Sequence, residues 1–302
     1  MRRPLALALL ALLGVSWGVH VSLSKALDAQ DNKTALAYLT IYMAGTAIGL
    51  SALQAAARRP FRFRRAHLRF LVIAAFLGYF APLLTEIIVA PKIDVSLFAL
   101  VGALYPAMTL AIAAAIRLER VTLRRFVALT LGLAASVVLL APDVALSSEA
   151  ATLWVLLAFC APMAYALDNV YVASAWPSDL DTLQVSAAEA AVGLAMCLVI
   201  SLFTGVDAGA VSGAMESGGI WLWALIFVSM AGTWLYFELL RTAGAVFVSF
   251  GGFISLATGI LSGVIFFAER PTLGLWVACA LTVASLMLLR SAAAEEGAPA
   301  AG

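Results

Sequence analysis

Hydrophobic residues run through this chain in long unbroken stretches, not in the alternating pattern of a half-buried strand or the one-faced stripe of a surface helix. Windows of about 19 residues mark ten such stretches, each about 20 residues and long enough to cross a bilayer as a helix. They cover residues 4–27, 34–57, 68–90, 93–116, 122–140, 151–173, 182–204, 218–240, 243–267 and 272–290. The runs are rich in Ala and Leu and lack period-two alternation, which predicts helices and not a membrane barrel. The connections are short. The longest is about 13 residues around Asp207–Glu216, so the pattern predicts no extramembrane domain and places any function within the helix bundle.

Composition agrees with an all-α integral membrane protein. Of 302 residues, 64% are hydrophobic and 12% charged, against about half and about a quarter in a soluble domain. The mean hydropathy is +1.04. A net charge of +1 and the lack of a solvated basic domain argue against nucleic acid as a partner. Cys160, Cys197 and Cys279 each sit inside an apolar run without a CxxC or a neighbouring His, so neither a disulfide framework nor a metal site is expected. Arg2 and Arg3 ahead of an apolar run resemble the start of a signal peptide. The run continues past Ala11 through Trp17 and Val21, longer than a signal core, and is read as the first span.

Lys and Arg set the orientation. With the N-terminus in the cytoplasm, the inside segments carry Arg2, Arg3, Arg58, Arg59, Arg62, Arg64, Arg65, Arg69, Arg117, Arg120, Arg124, Arg125, Arg241 and Arg290. The outside keeps Lys25, Lys33, Lys92 and Arg270. Both termini are therefore expected in the cytoplasm, with the protein in the plasma membrane, the inner membrane of a bacterium. The run Arg58–Arg69 is read as a topogenic loop in preference to a lipid-headgroup or phosphate site. His67, within it, is expected to be solvated.

An internal repeat divides the chain. A shift of 150 residues brings Glu119-Arg120-Val121-Thr122-Leu123 onto Glu269-Arg270-Pro271-Thr272-Leu273, with four of five identical. Gly102 falls on Gly252, Ala107 on Ala257, and Phe126-Val127-Ala128 on Trp276-Val277-Ala278. The predicted units are a five-helix repeat over 1–140, a second over 151–290, and a flexible tail over 291–302. An odd number of spans per repeat turns the second upside down relative to the first, the arrangement that gives two states open to opposite sides.

Trp17-Gly18 with Lys25 in the first span, Tyr105-Pro106 thirteen residues before Glu119, and the doubled Glu-Arg-x-Thr-Leu resemble the ten-helix EamA branch of the drug/metabolite transporter superfamily. The resemblance covers nearly the whole chain. It implies a 5+5 inverted-repeat bundle with a central substrate cavity and solute transport as the class of function. Two features depart from the family pattern: the second span lacks an arginine common in relatives, with Tyr38 and Tyr42 in that region, and Leu256 stands where the first repeat has Pro106.

Polar side chains inside a span are costly and tend to face the bundle interior, which selects the candidate substrate ligands. Trp17, His20 and Ser24 share one face of the first helix, and Tyr79, Pro82 and Glu86 one face of the third. Tyr105 stands in the fourth. Tyr165, Asp168 and Asn169 lie within one turn of the sixth, and Trp234, Glu238 and Arg241 line up on the eighth. A shift of 148 residues sets His20 against Asp168 and Trp17 against Tyr165, the pairing a central cavity between two repeats would show. Plainer readings stand beside these. Trp17 and Trp234 also fit packing or interface aromatics; His20, alone, fits a packing histidine; Glu238 fits an ion pair with Arg241. Glu86 has Lys92 and Asp94 nearby. Glu119 and Glu269 are read as caps or charge pairs of the helices that follow them, while Glu189, in the seventh span with no local partner, stands as a functional candidate. Gly45 with Gly49, and Gly259 with Gly263, are read as helix-packing positions.

The expected function is secondary transport of a small polar or amphipathic metabolite, an amino acid, an amine or a similar solute, by alternating access, with export the expected direction. The acids Glu86, Asp168, Glu189 and Glu238 outnumber His20, Lys25 and Arg241 in the spans, which favours an amine-bearing cargo and leaves proton coupling open. No cofactor is expected. The partners are a small-molecule substrate and the lipid bilayer, and the sequence leaves the oligomeric state open between a monomer and an oligomer of unknown size. An integral-membrane enzyme is the rival, but HExxH, GxSxG, nucleotide-binding motifs and paired histidines are all lacking. A channel would not need two antiparallel halves. Reporter fusions at Gly302 and near Asp207 are expected to report opposite sides of the membrane, and agreement between them would contradict the ten-span topology.

Overall fold

The computed structural model describes residues 3–27, 31–58, 64–82, 85, 89, 101–140, 149–267 and 273–296, and every regular element among them is helical. In chain order these are α1 (Arg3–Ala26), α2 (Asn32–Ala56), α3 (Arg65–Ala75) running into a π turn (Phe76–Phe80), α4 (Tyr105–Ala115), α5 (Leu123–Leu140), α6 (Glu149–Ala158), α7 (Cys160–Ala175), α8 (Thr182–Thr204), α9 (Ala208–Ala243), α10 (Ala245–Ser249), α11 (Gly251–Phe267) and α12 (Leu273–Glu296). Five helical stretches among the described residues are long and apolar enough to cross a membrane: Pro4–Ser24, Lys33–Ala56, Leu153–Ala175, Thr182–Thr204 and Ala208–Ala243. Large apolar side chains such as Leu202, Phe203, Ile48, Phe227 and Met287 lie exposed on the outside of the bundle, the surface expected of a protein solvated by lipid.

Helix starts are fixed by aspartates. Asp31 accepts the amide of Thr34 at 2.7 Å and Asp207 that of Ala210 at 2.8 Å. Asp181 forms a reciprocal box with Gln184, at 3.0 Å and 2.9 Å. Each cap satisfies an amide left free by the helix and contributes about 1 kcal/mol. The Thr34 amide also holds the Asp31 carboxyl below the usual carboxylate range. Gly205, at φ 70°, ends α8 in the left-handed conformation that suits glycine.

Prolines decide where spans break. Pro82 has no amide to offer the carbonyl of Gly78, and its ring crowds that carbonyl. The backbone relieves this one turn earlier by widening into the π turn, where the amide of Ala81 reaches back to Phe76. Pro162 stands four residues after Ala158, where the predicted span 151–173 divides into α6 and α7. Pro106 sits in the first turn of α4, a position where its missing amide costs nothing. The span predicted over 243–267 is interrupted at Phe250, just before Gly251 and Gly252. The long connection predicted around Asp207–Glu216 is instead helical, and Gly219 (φ 47°, ψ −135°) kinks it away from the membrane segment of α9.

Two further expectations change. His67 is buried, with 4% of its surface exposed. Its Nδ1 accepts the amide of Arg64, and Nε2 meets Asp179 at 3.1 Å, so it caps α3 and ties it to the α7–α8 connection. Glu119 pairs with Arg125 of the following helix at 3.0 Å, as expected, but its second oxygen accepts the amide of Val246 at 3.0 Å. It therefore also caps α10, 127 residues away in sequence.

α1 packs on α11 and α9, α2 on α8 and α9, α4 on α7 and α10, α3 with its π turn on α8 and α7, and α5 on α12. Small residues permit the closest approaches. A Cβ on Gly18 would stand 2.6 Å from the Ser255 carbonyl oxygen of α11, and one on Gly45 would stand 2.6 Å from the tip of the Ile226 side chain. Backbone cannot yield as a side-chain tip can. Gly18→Ala is expected to cost about 1–3 kcal/mol by forcing α1 from α11, Gly45→Ala less, and Gly213→Ala, with open space around it, nothing. Thermal unfolding of the three purified variants checks the ranking.

Candidate functional site

The helix breaks surround a central cavity of about 670 Å³. α1 contributes Ser16, Trp17 and His20; α2 contributes Tyr42, Met43 and Thr46; the π turn contributes Gly78 and Tyr79. Across from them stand Tyr105 and Pro106 of α4, Tyr165 and Asp168 of α7, Glu189 of α8, and Ser229, Thr233 and Tyr236 of α9. The volume suits a metabolite-sized molecule.

Aromatic rings are prominent in the wall. Trp17 lies 6.0 Å from the Tyr236 ring, centre to centre, and Tyr105 meets Tyr165 edge to face at 6.1 Å. His20 sets its ring edge-on to Tyr42 at 5.4 Å. Two carboxylates interrupt this wall. Asp168 and Glu189 are almost completely buried, and both converge on Gly78. A Cβ there would stand 3.1 Å from one oxygen of Asp168 and 3.7 Å from one of Glu189. A side chain at position 78 would crowd the acids, so glycine leaves the space between them open. Tyr79 lies against Gly193 and shares a hydrogen bond with Thr233 at 3.3 Å.

A polar network braces one side of this arrangement. The Tyr236 hydroxyl is within reach of Asp168 at 2.5 Å and of the Asn169 carbonyl oxygen at 2.8 Å. It has one proton and satisfies one of them at a time. Asn169 donates its amide to the Tyr105 hydroxyl and to the Ala245 carbonyl, joining α7, α4 and α10. Four buried polar atoms remain without a protein partner among the described residues: one oxygen each of Asp168 and Glu189, and the hydroxyls of Thr46 and Ser229. All four residues line this cavity. Its lining includes no Lys or Arg among the described residues.

Of the residues selected from sequence, Trp17, His20, Tyr79, Tyr105, Tyr165 and Asp168 come together around the cavity. Asn169 lies behind it, fully buried. Ser24 is exposed on α1, and Glu86 falls outside the described residues. Trp234 is 38% exposed, because α9 turns Ser229, Thr233 and Tyr236 inward, and Trp234 stands two residues, about 200°, from Tyr236. Glu238 also lies off the cavity, accepting from Thr182 at 2.5 Å and paired with Arg241 at 3.1 Å. Tyr236, Thr46, Ser229 and Thr233 were not selected. The polar spacing Ser229, Thr233, Tyr236 was the available signal on α9, and the charged pair Glu238 and Arg241 overshadowed it.

Residues 4–141 match the EamA-like transporter family. Among curated proteins none matches. Of 29 matching chains of solved structures, one crystal structure covers 97% of this chain and 99% of its own length at a TM-score of 0.73 and 17% identity. At that identity the likeness is one of fold, and it extends through the second half of the chain as well as the first. The family match over residues 4–141 and the apolar helices mark this chain as a multi-pass transmembrane protein whose first half is similar to the EamA-like transporters of the drug/metabolite transporter superfamily, and the fold it shares with the solved structure extends over its whole length.

Proposed function

We propose that the central cavity binds a small amine-bearing metabolite and exports it across the plasma membrane in exchange for protons. One observation carries this reading: two buried acids each turn an unpartnered oxygen toward a cavity whose described lining has no basic side chain to neutralise them but His20. An acid in low dielectric either keeps its proton or takes a cationic ligand. Alternation between the two is exchange. Protons entering down their gradient displace the cation, so the amine travels outward.

The aromatic wall suits the same cargo. Trp17, Tyr42, Tyr105, Tyr165 and Tyr236 offer ring faces to an ammonium group and apolar area to its carbon skeleton. Thr46 and Ser229 supply neutral hydrogen-bonding groups for orientation.

Alternating access between two inverted five-helix repeats is the proposed route, with both termini cytoplasmic. The packing pairs support it. Exchanging spans one to five with six to ten turns the α1–α11 contact into the α7–α4 contact, and the α1–α9 contact into that of α7 with α3 and its π turn. The pairs α2–α8, α5–α12 and α4–α10 map onto themselves.

In proteoliposomes with an imposed proton gradient, an amine-bearing solute is expected to move faster than its N-acetylated or carboxylate analogue. Asp168→Asn and Glu189→Gln are each expected to lower its transport about ten- to a hundredfold, the worth of a charge-assisted hydrogen bond. Glu238→Gln, off the cavity, keeps the charge preference. Faster transport of the anionic analogue, or an unchanged preference in both acid variants, overturns the proposal. The tryptophans give a separate check. Trp17→Ala is expected to slow transport while Trp234→Ala leaves it near wild type; equal effects would remove the aromatic wall from the binding site.

A further inference from the structure

A second hollow opens on the outside of the bundle, where α2 and α3 part over α8. It holds about 990 Å³ and shares no lining residue with the central cavity. Its floor is alanine: Ala187, Ala188, Ala191 and Ala195 keep α8 low between its neighbours. Leu68 and Val72 of α3 form one wall, and both are well exposed. Nothing in the chain covers them among the described residues.

The hollow is polar at one end only. Ser51, Gln54 and Arg58 follow one another along the face of α2, ending in Arg58, the single charged residue of the lining. Arg58 holds a φ of 53°, a left-handed conformation unfavourable for a residue with a side chain, and it terminates α2 at the mouth of the groove. Arg65 stands one turn before Leu68 at the start of α3, at the same end of the bundle. From Leu68 to Phe80, which lines the groove at its far end, twelve residues of helix rise roughly 18 Å. That is close to one leaflet of a hydrocarbon core about 30 Å thick.

An apolar trench one leaflet deep, with arginine at the headgroup end, has the length and charge pattern of a phospholipid bearing an anionic head. A zwitterionic lipid would fill the trench as well but leave the arginines without net charge to neutralise. We propose that the groove between α2, α3 and α8 is a binding site for one anionic phospholipid, its acyl chain over the alanines of α8 and its phosphate on Arg58 and Arg65. The arginine run then serves as a lipid site in addition to setting topology. This inference stands apart from the cargo of the central cavity.

The full-length protein, stripped of lipid in detergent, is titrated with phosphatidylglycerol or with phosphatidylcholine of the same acyl chains, and bound lipid is counted by native mass spectrometry. One phosphatidylglycerol is expected to bind in preference to phosphatidylcholine. Arg58→Gln and Arg65→Gln each lower that preference about fivefold, the worth of one basic residue at an anionic surface, and leave phosphatidylcholine binding unchanged. Ala191→Phe fills the trench and is expected to abolish retention of both lipids. Equal retention of the two lipids by the wild type, or an undiminished preference in the arginine variants, overturns the proposal. Both arginines are exposed, so their variants test it even if the filled groove fails to fold.

Discussion

A backbone carbonyl inside a membrane has nowhere to find a donor except the protein itself. Every proline in a span removes one such donor, and much of this architecture follows from where the prolines stand. Pro82 widens α3 into a π turn, Pro162 divides the sixth span, and Pro106 starts α4 well inside the predicted fourth. These breaks lie around the central cavity, whose lining includes Gly78, Pro106 and Pro162. At the separate junction of α9 and α10, Asn169 donates to the Ala245 carbonyl and Glu119 accepts the Val246 amide. Through Glu119 that junction holds the first half of the chain to the second.

Glycine supplies the complementary constraint. Gly18 brings α1 against the backbone of α11 and Gly45 brings α2 against α9, so the bundle is tightest where helices from opposite halves meet. Gly78 works differently. It keeps empty the space onto which Asp168 and Glu189 converge. Close packing and a retained hollow are thus obtained with the same residue, and the outcome depends on whether a packed helix or a pair of carboxylates stands opposite.

The span pattern was legible in the sequence because lipid demands long apolar helices, and that demand leaves a signal in every window of about 19 residues. Breaks within spans were less visible, since hydropathy is blind to backbone geometry; only the prolines mark them, and the interruption at Phe250 has no proline. Residues of the cavity wall were selected where a helix has one polar face, as on α1, where Trp17 and His20 share it. α9 has two polar faces, and charge drew attention to the one bearing Glu238 and Arg241, which satisfy each other away from the cavity. His67 was hidden for a related reason. An arginine-rich neighbourhood reads as solvent, while the partner that buries it, Asp179, lies 112 residues away.

The π turn places consecutive residues in different surroundings, Tyr79 in the central cavity and Phe80 in the outer groove. A π turn holds one residue more than the α-helix it interrupts. Losing that residue would turn one flank of the helix by about 100° relative to the other, moving Tyr79 and Phe80 out of their separate surroundings. Insertions and deletions are ordinarily absorbed in loops. Here a single codon gained or lost in mid-span would shift Tyr79 against the cavity and Phe80 against the groove together, so the register of one helix sets what two separate hollows present.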